Sequence, residues 1–400
     1  MKKYIAIALL VGCSSIGAVA DDGASGPGPE ATAAEAAGTF RDLTPLEKAF
    51  IDTSPAPRDS AFPVGELGVD GGEKASIVKL AKELGEGKYG RYDSLLIAHK
   101  GKLVFESYSA RGRINLAHPQ ASTTKGYTSL ILGRAMELGY LTMADLNRPL
   151  IDFMGDLDRS KLAEGADKIT LHKALTMHGG LNVSSEQREE LERNPNEFTG
   201  EMASQLKGQG LVQTLLELSG PITEDTQVYK YGNFNPILVM AVIDAVVPGS
   251  AQEFIETEVL GKLGITNYSW DTHVSGLPEA GWRVSMTSRD MLKLGSVVLN
   301  EGKWNGEQFI SADYLNRATS PLVKPTEDWM PESYRYGYFW YHTPITVGDE
   351  TYEAAFAWGG GDQRVIVVDG LDLVVVFTGH DNQGTLMDQI VKVVLPAFAE

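Results

Sequence analysis

A single cysteine, Cys13, stands in a chain of 400 residues, so no disulfide can form within it. Positive charge is scarce too. Against 53 Asp and Glu there are 35 Lys and Arg, for a formal net charge of −18, and the basic residues are scattered. Such a surface repels phosphate backbones and anionic membrane faces, which excludes nucleic acid as an expected partner. Past the first twenty residues no apolar run is long enough to span a bilayer. There is no internal repeat and no G-x-S-x-G elbow, so a serine raised on a strand-to-helix turn of that kind is not available. The seven histidines lack carboxylates or cysteines at metal spacing. His172 and His178 in "LHKALTMHGG" therefore read as structural, although His178 could border a cleft, and neither a metal nor an organic cofactor is expected.

What is present begins with "MKKYIAIALLVGCSSIGAVA", a cationic start and a short apolar run that read as a signal peptide over residues 1–20. Two processing readings stay open. Ala18-Val19-Ala20 offers a small-residue cleavage site, and Leu10-Val11-Gly12-Cys13 resembles the bacterial lipobox, which would make Cys13 a lipidation site and a membrane tether. Either way the protein is expected to be exported, as a periplasmic or lipid-anchored form. Residues 21–43 read as a flexible linker, because Gly, Pro, Ala and acidic side chains bury too little surface to fold. The folded domain is expected over 44–400, opening with a helix capped at Thr44 and carrying proline at its first position.

"SLLIAHKGKLVFESY" is a hairpin by its apolar content and its Lys100-Gly101 turn, and "QRVIVVDGLDLVVVFTG" is a second one with a tight Asp369-Gly370 turn. Between them the pattern is mostly helical. Helix starts are marked by Ser250 with Glu253 and by Thr287 with Asp290, and Leu386, Ile390 and Val393 share one face of a last helix. The arrangement predicts an α+β domain: one antiparallel sheet built from both chain ends and flanked by helices, plus a mainly helical lobe over about 123–275.

Three segments carry chemistry. In "QASTTKGYTS" Ser122 opens a helix and Lys125 follows three residues later, so the two side chains share a face and can touch. The apolar residues after them bury the turn, which disfavours an ammonium, and an uncharged amine can take the serine's proton. On its own this spacing also fits an ordinary solvated helix face. In "YKYGNFNPILVM" Tyr231 and Asn233 precede an apolar helix. The phenol could share the proton with Lys125, and the amide could hold the lysine or a substrate carbonyl. In "AAFAWGGGDQRVIVV" glycines lead into a strand, where close backbone approach to a ligand is expected. The amide of Gly361 could join that of Ser122 as an oxyanion hole.

The three segments, in this order, resemble the serine hydrolases of the class C β-lactamase, D-Ala-D-Ala carboxypeptidase, family VIII esterase and 6-aminohexanoate-dimer hydrolase group. "ITLHKALTMHGGL", "GWRVSMTSRDMLKLGSVVLNEGKWNG" and "YRYGYFWY" add to the likeness, which runs from about Asp93 to Phe398. The resemblance implies the β-lactamase/transpeptidase-like fold and acyl-enzyme chemistry. Ser122 matches the nucleophile, Lys125 the adjacent base and Tyr231 the second proton carrier, while Asn233, Trp358, Gly359, Gly360 and Gly361 bind substrate. One departure matters. Where β-lactamases and penicillin-binding proteins of the group carry lysine for a substrate carboxylate, this chain has Trp358, similar to family VIII esterases. Losing a fixed cation weakens recognition of anions. Arg364 could restore one, but as a strand residue it reads as a surface ion-pair partner. A carboxylesterase acting on small uncharged substrates is thus expected. A D-amino-acid peptidase or carboxypeptidase, a weak β-lactamase and a non-catalytic binding protein stand as alternatives.

Overall fold

A computed structural model of the chain describes residues 28–58, 62–192, 197–381 and 384–399. The leader, Cys13 and Ala20 lie outside the described residues. The central sheet has eight strands: β1 (Phe50–Asp52), β2 (Tyr92–His99), β3 (Lys102–Tyr108), β4 (Arg335–Tyr336), β5 (Tyr341–Val347), β6 (Glu350–Gly359), β7 (Gln363–Val368) and β8 (Leu373–Gly379). They lie in the order β1-β3-β2-β8-β7-β6-β5-β4, antiparallel throughout. β8 pairs with β2 along its whole length, which joins the two hairpins from opposite ends of the chain, as expected. Every residue of β2, β7 and β8 is buried. Strands covered on both faces need no polar alternation.

Among the described residues the four helices of twelve residues or more are α1 (Lys74–Gly85), α2 (Thr123–Glu137), α3 (Phe234–Val246) and α4 (Ser288–Leu299). α4 lies on β7 and β8, and α2 packs against β6 and α3. The start of α4 is the predicted one: Thr287 Oγ1 accepts from the Asp290 amide. Ser250 likewise caps Ala251–Phe254. α2 is buried from Thr123 to Met136, so its polar residues must be paired inside the protein. Thr128 Oγ1 donates to the Ala280 carbonyl, and Ser129 bonds the Tyr314 hydroxyl.

Four local expectations fail, each because packing outweighs a local signal. No helix starts at Thr44. Residues 43–46 are irregular, the Leu46 amide bonds the Ala110 carbonyl, and the chain goes on to pair β1 with β3. The segment read as a linker is docked from Gly28 onward. Thr32 and Glu35 form a capping box on one helical turn, and Glu35 pairs with Arg113 at 3.0 Å. The second hairpin closes through a four-residue link with Asp372 left-handed at φ 47°, not through a two-residue Asp-Gly turn. In the last helical segment a π-helical stretch over Ile390–Val394 shifts the phase by one residue, so that Val394 and not Val393 is buried.

Candidate active site

Ser122 occupies the N-cap position of α2 but makes no capping hydrogen bond, whereas an N-cap serine ordinarily accepts from the helix's own amides. Its hydroxyl is left for Lys125, whose Nζ lies 3.1 Å from Ser122 Oγ. The same nitrogen is 2.9 Å from Asn233 Oδ1 and 3.0 Å from the Gly281 carbonyl, and it sits 4.9 Å from the centroid of the Tyr231 ring. Lys125 is 1% exposed. A lysine so enclosed has its position set by these partners, since few other rotamers are open to it.

The turn before the helix is strained and braced. Ala121, with φ 46°, is a non-glycine residue in the left-handed region, a conformation of the order of 1–2 kcal/mol above the usual wells and frequent at functional sites. Buried Gln120 holds it: its amide bonds the Val284 carbonyl, its Nε2 donates to the His118 carbonyl, and its Oε1 accepts from the Tyr127 hydroxyl. Close to this turn in sequence, His118 belongs to a polar cluster built on the buried Asp93. Asp93 Oδ2 accepts from His118 Nε2 and from His380 Nδ1, each at 2.9 Å. Burial alone would raise the Asp93 pKa, but the two imidazole hydrogen bonds outweigh it and bring it down to about 2.

Two glycines let the helix and the sheet close on the site. A Cβ on Gly126 would lie 2.9 Å from the Ala357 Cβ, and one on Gly359 would lie 2.3 Å from the Gln120 carbonyl oxygen. β6 therefore runs directly against the Ser122 turn. The resulting cleft, of about 430 Å³, is lined by Ser122, Tyr231, Trp329, Tyr341, Trp358, Gly359, Gly360, Asp362 and Gly384. Its aromatic walls meet edge to face: Tyr231 with Trp329 at 5.9 Å, Trp329 with Trp358 at 5.6 Å, and Tyr341 with Trp358 at 5.5 Å between centroids. A loop clamp fixes one wall, because Glu327 Oε1 accepts from the Tyr231 amide at 2.7 Å.

Ser122, Lys125, Tyr231, Asn233, Trp358, Gly359 and Gly360 thus meet at one place. Asn233 holds the lysine. Three details differ from expectation. Among the described residues no hydrogen bond links the Tyr231 hydroxyl to Ser122 or Lys125; the amine faces the ring. Gly361 is not among the cleft-lining residues, and a Cβ there would meet Gln363 and the Gly379 carbonyl. Arg364 is not a surface residue. It is 2% exposed, bonds Asp362 Oδ1 at 3.1 Å and stacks 4.1 Å from the Trp358 ring, because the strand that carries it is covered on both faces. His178 bonds the Thr176 carbonyl and packs on Tyr229, a structural place in which burial lowers its pKa. Sequence reasoning missed Gln120, Gly281, Trp329, Tyr341 and Asp362. Gln120, Gly281, Tyr341 and Asp362 lie within segments singled out above but were given no role, and only Trp329 lies in none of them. No group of three or more His, Cys, Asp or Glu that could hold a metal occurs among the described residues.

Comparison with known proteins gives a consistent result. The family model described as Beta-lactamase matches residues 80–389. No curated protein matches the chain. Among solved structures, a class C β-lactamase is similar at 13% identity and TM-score 0.60, over 82% of this chain and 96% of that one. A protein from Bacillus anthracis named provisionally as a 6-aminohexanoate-dimer hydrolase is 17% identical, with TM-score 0.58, over 88% of this chain and 91% of its own. A D-stereospecific amidohydrolase from Streptomyces sp. is 14% identical, with TM-score 0.56, over 80% and 98%. Identities this low establish a shared fold.

Proposed function

The chain belongs to the β-lactamase family, a family of serine hydrolases acting on amide and ester bonds, and from that premise we propose that it is a carboxylesterase for small uncharged substrates, working through an acyl-enzyme on Ser122. The observation that carries this reading is the contact of Ser122 Oγ with Lys125 Nζ at 3.1 Å, at the edge of a cleft walled by aromatic rings.

Asn233 Oδ1 and the Gly281 carbonyl can only accept hydrogen bonds, whereas a serine hydroxyl can also donate. Lys125 donates to Asn233 and Gly281, and for the proposed reaction we take the amine as uncharged, so that its lone pair can accept the Ser122 proton. That is the arrangement of a general base beside its nucleophile. Ser122 Oγ attacks the carbonyl carbon as its proton passes to Lys125. In this reading the resulting oxyanion is held by the Ser122 amide and a backbone amide of the glycine turn that follows β6. The proton goes to the leaving alcohol with Tyr231 as the second carrier, and water then takes the same route in reverse to free the acid. No step needs a metal or an organic cofactor. Trp358 in place of a cation supports an uncharged substrate over a penicillin or a D-Ala terminus.

Hydrolysis of p-nitrophenyl acetate and butyrate, abolished in Ser122→Ala, is the expected result. Faster turnover of a chromogenic cephalosporin than of either ester would move the assignment to a β-lactamase. Turnover of no ester, amide or lactam would favour a binding protein. We also propose export, with either Cys13 lipidated or Asp21 as the first residue of the mature chain. The mass of the mature N-terminus separates the two.

A further inference from the structure

Taking the hydrolase reading above as given, we infer that the cleft selects substrates bearing an aromatic ring, which would stack on Trp358. One of its four aromatic walls already carries a cation. Arg364 stands directly opposite Trp358 in the β6–β7 register, with its guanidinium carbon 4.1 Å from the indole centroid and 5.4 Å from the Phe356 ring. It is 2% exposed, so it covers the indole from within the protein, while Trp358 itself lines the cleft. Its Nη2 bonds Asp362, while Nε and Nη1 have no partner among the described residues. The π faces of Trp358 and Phe356 thus stand in for hydrogen-bond partners.

An aromatic box lined by electron-rich faces ordinarily favours a cation. Here that preference is weakened. A guanidinium on one face of an indole draws π density toward itself and leaves the other face poorer in electrons. That face gains by stacking against a second aromatic ring and attracts a second positive charge less than a free indole face would. Trp329, 55% exposed and at 67° to Trp358, supplies an edge-to-face neighbour for a ring lying on the indole. A saturated ring of the same size would fill the cleft as well but would gain no such contact.

The test uses pairs of esters that differ only in an aromatic against a saturated ring: benzyl acetate with cyclohexylmethyl acetate, and methyl phenylacetate with methyl cyclohexylacetate. Their binding to Ser122→Ala is followed by ligand-observed NMR titration, and turnover is measured separately with the wild-type enzyme. In at least one pair the aryl member should bind about threefold to tenfold more tightly, the range an aromatic contact adds beyond its buried area. Trp358→Leu in the Ser122→Ala background should bring that ratio close to one. Equal binding within both pairs would overturn the inference, as would a preference that survives Trp358→Leu. So would tighter binding of acetylcholine than of its neutral counterpart 3,3-dimethylbutyl acetate. Because binding is read without turnover, failure of the hydrolase reading would appear separately, as wild-type enzyme that cleaves none of the four esters.

Discussion

Gly359→Ala probes how closely the sheet must approach the reactive turn. The added Cβ would lie 2.3 Å from the Gln120 carbonyl oxygen, 2.8 Å from Thr123 Oγ1 and 2.9 Å from the Thr123 amide nitrogen. Carbon and oxygen settle at about 3.3 Å or more, so the strand or the turn must move by about 1 Å, and two of the three obstacles are backbone. Overpacking of this kind costs about 1–3 kcal/mol, which a domain stable by about 5–15 kcal/mol survives. The catalytic effect should be larger in proportion, because a misplacement of about 1 Å at a reacting centre can cost about 100-fold. Kinetics on p-nitrophenyl acetate should therefore show kcat/KM reduced by about two orders of magnitude, with a melting temperature only a few degrees lower. Gly360→Ala is the control for folding. Its Cβ would meet nothing within 4 Å, so the melting temperature should not change. A Gly359→Ala enzyme that matches wild type in both activity and Tm would refute the claim that β6 and the Ser122 turn are in contact.

Three further outcomes are expected. The Asp93 pKa of about 2 lies below the unfolded value near 3.9. The cluster with His118 and His380 thus stabilises the fold fully above about pH 4 and loses that contribution as pH falls toward 2. It amounts to roughly 2–3 kcal/mol, so in urea melts Asp93→Asn should be destabilised at pH 6 and should differ less from wild type near pH 2. A gap that does not change with pH would contradict the assignment. Asn233→Leu removes one acceptor from Lys125 and should lower kcat/KM about 10- to 100-fold, in line with loss of a group that orients a catalytic residue, with little change in Tm. Arg289 bonds both carboxylate oxygens of buried Glu106, so Arg289→Met should cost about 3–5 kcal/mol by leaving that charge unpaired, again read from urea melts.

Much of the fold could be read locally. The two hairpins announce themselves by apolar runs and turn residues, and β2 finds β8 because an apolar run in each, Leu95–Ala98 and Val374–Phe377, lies opposite the other. Local signals mislead where a partner far along the chain competes. A good helix start at Thr44 gives way to β1 pairing with β3, and a regular helical face near Val393 gives way to a π-helical stretch that brings Val394 inward. Within the site, the pairing of Ser122 with Lys125 was legible because it depends only on helical geometry. The Gly281 carbonyl, Trp329 and Tyr341 reach the cleft from segments more than 150 residues beyond Ser122, and no spacing rule connects them to it. Arg364 shows a further limit. Alternation says which way a strand side chain points, but not whether another layer covers it.

The central claim is that the Ser122 hydroxyl, next to the amine of Lys125, becomes covalently acylated. Intact-mass spectrometry after brief exposure to an excess of a slowly turned-over activated ester measures this directly. The wild-type protein should gain the mass of one acyl group, located on the peptide containing Ser122, with the adduct absent from Ser122→Ala and formed far more slowly by Lys125→Met. Hydrolysis of the ester with the adduct on another residue, or equal labelling of Ser122→Ala, would contradict the account.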